Sequence, residues 1–314
     1  LILREIEPYA DSIAVTPLGN IIAEKKGKQM PNQKLMLSAH MDEVGMIVTD
    51  IDEKGFLSFA TVGGIDNSVL LGKSVLVNEN ISGVIGGKPV HLMSGDELER
   101  AIPVEKLTVD IGAATKEEAK KVVSIGDSIH FLPFFECLRG TVKGKALDDR
   151  VGCLLLVELL KTDLEFDTSF TFSVQEEVGL RGAQTAANIA LPDIVIAVEG
   201  TVAGDVLDTK GAKAVTKMGK GPAVSIIDKG TMYDREFFKL AFEIAKELNI
   251  PCQPRTGAVG TNDAGAMHKA GRGARAIAVS VPCRYIHSPL SMARVSDMEN
   301  AFLLLRELVK RVHD

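Results

Sequence analysis

The feature that most constrains the fold is the pattern of apolar and glycine residues, which changes twice along the chain. Between Met46 and Phe135 the sequence consists of short β-type runs separated by glycines, such as MIVTDI, FLSFATVGG and KSVLVNE. After Gly144, apolar strand-like runs alternate with longer helical patterns. Many short strands favour a small barrel or sandwich, whereas strands alternating with helices favour a parallel α/β sheet. We therefore expect two folded units of different classes.

The two units are expected to be nested. A length of 314 residues corresponds to about two domains at ~150 residues each. The early strand that ends at His40 resembles the late strands more than it resembles the middle block. The sequence therefore predicts an α/β domain with a mixed central sheet, formed by residues 1–43 and 136–314. An all-β, barrel-like domain over residues 44–135 would interrupt it. Long helices are expected at roughly 151–161, 233–248 and 297–312.

The charge balance argues against a nucleic acid or a membrane surface as a partner. Lysine and arginine total 36 against 42 aspartates and glutamates, giving a formal net charge of −6, and no long basic run is present. Both partners would require clustered positive charge. The longest apolar run, around Val151 to Leu160, is shorter than the ~20 residues that span a bilayer. No signal-peptide pattern opens the sequence, and because it starts at Leu1 rather than methionine, we expect that a further N-terminal segment precedes it. We expect a cytoplasmic location.

The cysteines do not form a recognisable framework. Four of them occur singly, with no C-x-x-C pair: Cys137, Cys153, Cys252 and Cys283. Such a pattern is typical of reduced, buried thiols in a cytosolic protein.

Acidic and imidazole side chains follow four apolar strands. In open α/β sheets, ligands bind outside the carboxyl ends of the strands. The residues at these ends are His40 with Asp42, Glu176 with Glu177, Glu199, and His287. A fifth place, the acidic pair Asp148 and Asp149, precedes a helix. Taken one by one, these residues have ordinary interpretations as turns, caps or solvated loops. Taken together, they predict a cluster that holds cations.

The other four histidines are expected to be structural or solvent-facing. Two of them lie in the β-rich block, one follows a glycine-rich loop at an apparent helix start, and one is next to the carboxyl end: His91, His130, His268 and His313.

With these residues assembled, the chain resembles the M42 family of metallo-aminopeptidases. The resemblance runs in order through the motifs SAHMDEVG, GKALDDRVG, VQEEVGLRGA, VEGTVAGD and RYIHSP, and so covers nearly the whole chain. It implies an aminopeptidase that removes N-terminal residues from peptides. It also implies that the α/β domain is a metallopeptidase-type catalytic domain.

The resemblance further implies a centre with two divalent metal ions, zinc or cobalt, with manganese possible. Asp148 would bridge both ions. His40 and Glu199 would complete the first site, while Glu177 and His287 would complete the second. Glu176 would be the general base, and Asp42 would hold His40 in place. Many members of the family carry aspartate at the position of Glu199.

Family architecture implies a role for the inserted domain as well. In M42 proteins a β-rich dimerisation domain interrupts the catalytic domain, and dimers assemble into a dodecamer that admits peptides. We therefore expect peptide substrates and a homo-oligomer.

Three other functions remain open at this stage. A glycoside hydrolase, such as an endoglucanase, also uses two carboxylates, but adjacent residues diverge at a strand end and the chain has no tryptophan to stack on sugars. A deacylase, a carboxypeptidase or another metal-dependent amidohydrolase would keep the metals and cleave a different bond. A non-enzymatic binding or scaffold protein would hold no stoichiometric metal.

Overall fold

The computed structural model describes residues 1–209, 211 and 214–313. The strands of the described residues are β1 (Ser12–Val15), β2 (Ile21–Lys25), β3 (Leu35–His40), β4 (Gly45–Ile51), β5 (Leu57–Val62), β6 (Ser74–Val77), β7 (Ile81–Gly86), β8 (Thr108–Asp110), β9 (Ser128–Phe131), β10 (Phe135–Leu138), β11 (Thr141–Gly144), β12 (Thr168–Ser173), β13 (Ile194–Val202), β14 (Ala223–Ser225), β15 (Gln253–Arg255), β16 (Arg275–Arg284) and β17 (Ser291–Arg294). The α-helices are α1 (Ile2–Ile6), α2 (Gly95–Leu98), α3 (Lys116–Ala119), α4 (Leu147–Leu160), α5 (Arg181–Ala190), α6 (Arg235–Glu247), α7 (Ala264–Met267) and α8 (Val295–Arg311).

One large mixed sheet forms the centre of the α/β part. Its main path runs β1-β2-β12-β3-β13-β16-β17-β11-β10, and β14 and β15 extend it beside β16. The four central strands β12, β3, β13 and β16 are parallel to one another. Their carboxyl ends therefore meet at one edge of the sheet, as the sequence pattern requires for a shared site.

Side-chain alternation along the central strands separates a packing face from a site face. On β3, Leu35, Leu37 and Ala39 join a core cluster that also contains residues of α4, α6 and α8. The alternating residue Met36 joins a second cluster with residues of α5 and α7. Because successive side chains of a strand point to opposite faces, Ser38 and His40 lie on the side of Met36. The same rule places Glu199 and Thr201 of β13 on the face of Val195 and Ala197, which also belong to the second cluster.

The inserted β-rich block forms a closed barrel. Its strands pair in the order β4-β5-β8-β7-β6-β9, and β9 pairs with β4 to close the ring. The interior is a separate apolar cluster that includes Met46, Phe59, Val75, Ile85 and Phe131. Closure leaves the barrel without a free sheet edge. The fold is thus mixed α/β with a central mixed sheet and an interrupting all-β barrel, as predicted.

The expected elements are present, with differences at their ends. The helix expected from Val151 begins earlier, at Leu147, but Asp148 and Asp149 have non-helical backbone angles within it, and the peptide bond between them is cis. His268 lies at the end of α7, so its placement at a helix start was wrong. The short helix α7 is preceded by an irregular loop, and the sequence pattern does not separate the two.

The prediction of four buried cysteines was wrong for one residue. Cys153 and Cys283 are buried and Cys252 is half-buried, but Cys137 is exposed on the edge strand β10. All four are free thiols. None of the described helices has the length and apolar character needed to cross a membrane.

Candidate active site

His40 ends β3 with its ring inside a group of carboxylates. The side chain is 2% exposed, and Nδ1 lies 3.0 Å from the main-chain oxygen of Asp42. A carbonyl oxygen only accepts hydrogen bonds, so Nδ1 carries the hydrogen of this contact. On the other side of the ring, Nε2 lies 3.6 Å from Oδ1 of Asp148 and 3.6 Å from Oε2 of Glu199. This nitrogen is therefore oriented as a metal ligand would be.

The electrostatics around His40 favour positive charge at Nε2. Burial lowers the pKa of His40, but the hydrogen bond to Asp148 and the charges of Glu199 and Asp149 outweigh burial and raise the pKa well above its usual 6.5. A group of carboxylates that attracts a proton this strongly also attracts a divalent cation.

His287 faces Asp148 from the opposite side. It follows β16, and its Nε2 lies 3.5 Å from Oδ2 of Asp148 and 3.5 Å from Oε1 of Glu177. Its Nδ1 donates to the main-chain oxygen of Gly64 at 2.9 Å. The hydrogen bond to Asp148 is the main cause that raises the pKa of His287 to about 9. Gly64 follows β5 of the inserted barrel, so the insertion itself orients this ring.

The two adjacent aspartates at the start of α4, Asp148 and Asp149, make different contacts. Asp148 spans the two histidines, with one carboxylate oxygen toward each ring. Burial raises its pKa, but the hydrogen bonds with His287 and His40 outweigh burial and lower it to about 2. The Asp149 carboxylate instead accepts the backbone N–H of His40 at 3.1 Å and that of Gly152 at 2.9 Å. Asp149 thus anchors β3 to α4, and Asp148 is left to face the cavity.

Glu176 and Glu177 follow β12 and are held by Asp42. The two oxygens of the Asp42 carboxylate accept the backbone N–H groups of Glu176 and Glu177, at 3.0 and 3.1 Å. Burial is the main cause that raises the pKa of Glu176 to about 8 and that of Glu177 to about 7. The hydrogen bond from His40 Nδ1 goes to the main-chain oxygen of Asp42, whereas the side chain was expected to accept it; Oδ1 of that side chain lies 3.8 Å from Nδ1.

Glu199 lies deepest in the cluster. It is 4% exposed, and its Oε1 has no hydrogen-bond partner within the described structure. A buried carboxylate oxygen without a partner is costly, unless a cation or a proton compensates it. Burial is the main cause that raises its pKa well above the usual range.

Three groups of these residues have ligand atoms close enough to hold a metal ion. Within each group the atoms lie within 4.8 Å of one another. The groups are His40 with Asp149 and Glu199, His40 with Glu176 and Glu177, and Asp148 with Glu177 and His287. Imidazole and carboxylate donors without thiolate suit zinc, cobalt or manganese. Among the described residues, none of the other four histidines belongs to such a group.

Several residues of the site were missed by sequence reasoning. Asp263 is fully buried and accepts the hydroxyls of Ser38 and Ser173 at 2.5 and 2.6 Å, directly behind the strand end that carries His40. A cavity of about 550 Å³ opens from the cluster, and Asp228 and Arg255 line its wall. The acid in GTND and the arginine in PRTG do not follow apolar strands, so the strand-end pattern could not reveal them.

The folded sheet with an interrupting barrel and the histidine–carboxylate cluster are features of a known class of peptidases. The family model described as M42 glutamyl aminopeptidase matches residues 19–304. The chain therefore belongs to the M42 peptidase family and is an aminopeptidase, a peptide hydrolase.

Individual relatives agree with the family match. The chain is 43% identical to a putative aminopeptidase of Acetivibrio thermocellus, over 98% of this chain and 91% of the relative. It is 32% identical to a lysyl aminopeptidase of Pyrococcus furiosus, over 99% of this chain and 90% of the relative.

Solved structures share the fold over almost the whole chain. A TET aminopeptidase from a marine sediment archaeon of the Thaumarchaeota aligns with a TM-score of 0.94 at 35% identity, covering 99% of this chain and 89% of that one. A TET1 peptidase of Pyrococcus horikoshii, which can assemble into a tetrahedron or a large octahedral shell, aligns at 0.85 and 35% identity, covering 99% and 92%. A Thermotoga maritima protein described as an endoglucanase aligns at 0.81 and 36% identity, covering 99% and 91%.

Proposed function

We propose that this aminopeptidase depends on two divalent metal ions held by the histidine–carboxylate cluster. The observation that carries the proposal is the placement of Asp148, whose two oxygens each face a different histidine. In the proposed arrangement Asp148 bridges the ions, His40 and Glu199 complete one site, and Glu177 and His287 complete the other. The unpartnered Oε1 of Glu199 supports a cation at the first site.

Glu176 is the proposed general base. Its carboxylate lies next to the proposed ligands His40 and Glu177, and burial keeps its proton affinity high. It would accept the proton of the attacking water and return it to the nitrogen of the leaving amine. Two bound divalent ions would supply Lewis acidity toward the scissile carbonyl and a more acidic water. The backbone contacts of the Asp42 carboxylate would keep Glu176 and Glu177 in position.

Metal removal and a base variant test this function together. Dialysis against EDTA should abolish hydrolysis of aminoacyl anilides, and zinc, cobalt or manganese should restore it, with elemental analysis giving two ions per chain. Glu176→Gln should keep its metal and lose several orders of magnitude in kcat, because the ligands remain while the base is gone. Asp148→Ala should lose both ions. A protein that is fully active without metal would overturn the proposal.

The same assays would also detect two other activities. The description of the Thermotoga maritima protein as an endoglucanase makes a β-glucan the matched alternative substrate. Glucan cleavage that resists EDTA would favour a glycoside hydrolase, and cleavage of N-acylated but not free N-terminal amino acids would favour a deacylase. A protein with no stoichiometric metal and no turnover would be a binding protein.

We further propose a homo-oligomer in which the barrel of residues 44–135 serves as the dimerisation domain, with dimers forming a dodecamer. The protein from Pyrococcus horikoshii, which can assemble into a tetrahedron or a large octahedral shell, supports this proposal. Peptide substrates and a cytoplasmic location are parts of the same proposal.

A further inference from the structure

The cavity beside the cluster contains one arginine among many acids. Five carboxylate side chains line it: Asp148, Glu176, Glu177, Glu199 and Asp228. Among the described lining residues, Arg255 is the only lysine or arginine. A permanent positive charge in the wall of an acidic substrate cavity points to a negatively charged part of the substrate.

Arg255 is held in place without being neutralised. Its Nε donates to Oγ1 of Thr201 at 3.0 Å, Nη1 donates to the main-chain oxygen of Gly257 at 3.2 Å, and Nη2 donates to that of Val259 at 2.7 Å. All three acceptors are uncharged, and across the described ranges no carboxylate forms an ion pair with this guanidinium. A guanidinium has five N–H donors, so one remains on each terminal nitrogen to donate to a substrate carboxylate.

The spacing on β13 between Glu199 of the cluster and Thr201, which holds Arg255, fits the first residue of a peptide. Thr201, which anchors the guanidinium, lies two positions after Glu199 on β13. Residues two apart on a strand share a face and are about 7 Å apart. The carbonyl of the N-terminal residue would lie at the cluster during hydrolysis, so the side chain of that residue can extend along β13 toward Arg255.

We propose that Arg255 binds a carboxylate of the substrate, and that this carboxylate belongs to the side chain of the N-terminal residue. The inference rests on the aminopeptidase function proposed above. Membership of the family does not select the side chain, since the family model is described as glutamyl and one relative is a lysyl aminopeptidase. The free carboxylate at the end of a very short peptide has the same chemistry and is the other possible source.

The test compares substrates of equal shape that differ in charge. Kinetics on glutamyl and glutaminyl p-nitroanilide give the ratio of the two kcat/KM values, and we expect the wild-type enzyme to favour the glutamyl substrate by about tenfold or more. Arg255→Gln should bring this ratio close to one. Arg255→Lys should give an intermediate ratio, because lysine keeps the charge but loses the two-pronged geometry.

The glutamyl/glutaminyl ratio of kcat/KM distinguishes substrate binding by Arg255 from a purely structural role in its loop. If Arg255 only holds the loop around Gly257 and Val259, its substitution will lower both kcat/KM values by the same factor and leave the ratio unchanged. Lys229→Gln is the matched control, because Lys229 is exposed, adjoins Asp228 and lies outside the cavity wall, so it removes an equal charge without touching the substrate. Its ratio should equal that of the wild type.

A second pair of substrates identifies the source of the carboxylate. Leucyl-leucine and its amide differ only at the C-terminal carboxylate. A change in their relative kcat/KM on Arg255→Gln, with an unchanged glutamyl/glutaminyl ratio, would assign Arg255 to the C terminus and overturn the side-chain assignment. If neither ratio depends on Arg255, the inference fails while the aminopeptidase proposal stands. If no aminoacyl substrate is cleaved with any metal, it is the proposed function that fails.

Discussion

Asp42 contributes to the site through two different groups. Its main-chain oxygen fixes the ring of His40, and its side chain holds the backbone of Glu176 and Glu177. The second function links β3 to the loop after β12, two segments that are 134 residues apart in sequence. One carboxylate therefore aligns the proposed base with a proposed ligand, although it faces neither proposed metal.

Asp42→Ala should lower kcat roughly 10- to 100-fold, because the two backbone N–H groups lose their acceptor and the loop carrying Glu176 shifts. Asp42→Asn keeps one acceptor oxygen and should lie between the wild type and the alanine variant. Metal content, measured by elemental analysis, should fall less than activity does, since the contact that orients His40 comes from the main chain. Asp50→Ala, at an exposed position of β4, is the control and should be silent.

The structure brings together the two histidines that the sequence analysis chose as ligands, and their roles stay predictions. His40 and His287 meet across Asp148, whereas His91 is exposed and none of the other four joins a described metal group. We expect His91→Ala to keep near wild-type kcat with folding intact, as measured by anilide kinetics and circular dichroism. A large loss of kcat in a folded His91→Ala protein would contradict this choice of histidines.

The sequence could predict residues whose position follows from a strand end. His40, Glu176, Glu177, Glu199 and His287 come after apolar runs, and the geometry of a parallel sheet brings such ends together. Three other groups reach the site only through tertiary packing: the carbonyl of Gly64, the carboxylate of Asp263 and the guanidinium of Arg255. No local periodicity of the sequence marks these residues, so their place in the site could not be predicted from it.

At the scale of elements, α4 packs against β13 without room for a side chain at Gly152. The backbone of Gly152 approaches β13 so closely that an added Cβ would lie 2.4 Å from the carboxylate oxygens of Asp149 and 2.4 Å from the carbonyl of Val198. Glycine is therefore required here by packing between helix and strand. The Asp149 carboxylate, which anchors His40, fills the same space.

Gly152→Ala should lower the free energy of unfolding by roughly 1–3 kcal/mol, since the methyl group must displace Asp149 or move α4 away from β13. The change in unfolding free energy is measured by urea titration, and metal affinity should fall with it because Asp149 holds the backbone of His40. Gly95→Ala is the matched control: no atom lies within 4 Å of the added Cβ in α2, so this variant should be neutral or slightly stabilising. Equal effects of the two substitutions would exclude the packing explanation.

Glu43, in the segment that connects β3 of the sheet to β4 of the barrel, forms an ion pair with Lys145, which lies between β11 and α4. Their side chains are 24% and 6% exposed, and Nζ lies 2.6 Å from Oε1. Lys145→Met should destabilise the protein by about 1–3 kcal/mol, because Glu43 loses a largely buried partner. Lys143→Met is the control, since its pair with Glu136 is exposed at 37% and 44% and should contribute no more than about 1 kcal/mol. Thermal unfolding of both variants and of the Glu43→Gln/Lys145→Met double variant measures the coupling.

The molecule as a whole is a sheet and a barrel with separate apolar cores and one shared site. The cores are distinct clusters, and the cluster of histidines and acids lies where the chain passes between them. Nesting was predicted from the different sequence patterns of the two units and from the likeness of the early strand that ends at His40 to the late strands. These patterns could not predict that the barrel would contribute a hydrogen bond to the site.

Substitutions on the barrel, with a control on the sheet, test whether the barrel forms the interface between chains. The barrel carries exposed apolar side chains at Val84 and Val122, which are 46% and 54% exposed, and Val15 on β1 is 58% exposed at the far end of the sheet. Light scattering should give wild-type protein a mass of twelve chains, and Val84→Asp or Val122→Asp should reduce it, since a charge opposes burial at an interface. Val15→Asp should leave the mass unchanged. A monomeric wild type would refute the proposed assembly.

Because His287 donates a hydrogen bond to the carbonyl of Gly64, the barrel cannot be replaced by another domain without affecting the site on the sheet. A chimera that replaced the barrel with another closed domain of similar span would preserve every strand of the sheet and every side chain of the cluster. It would still leave His287 free to rotate, because the acceptor that orients its ring belongs to the replaced segment. Evolution and protein engineering can therefore vary the outer surface of the insertion, but the turn that carries Gly64 has to be inherited together with the sheet.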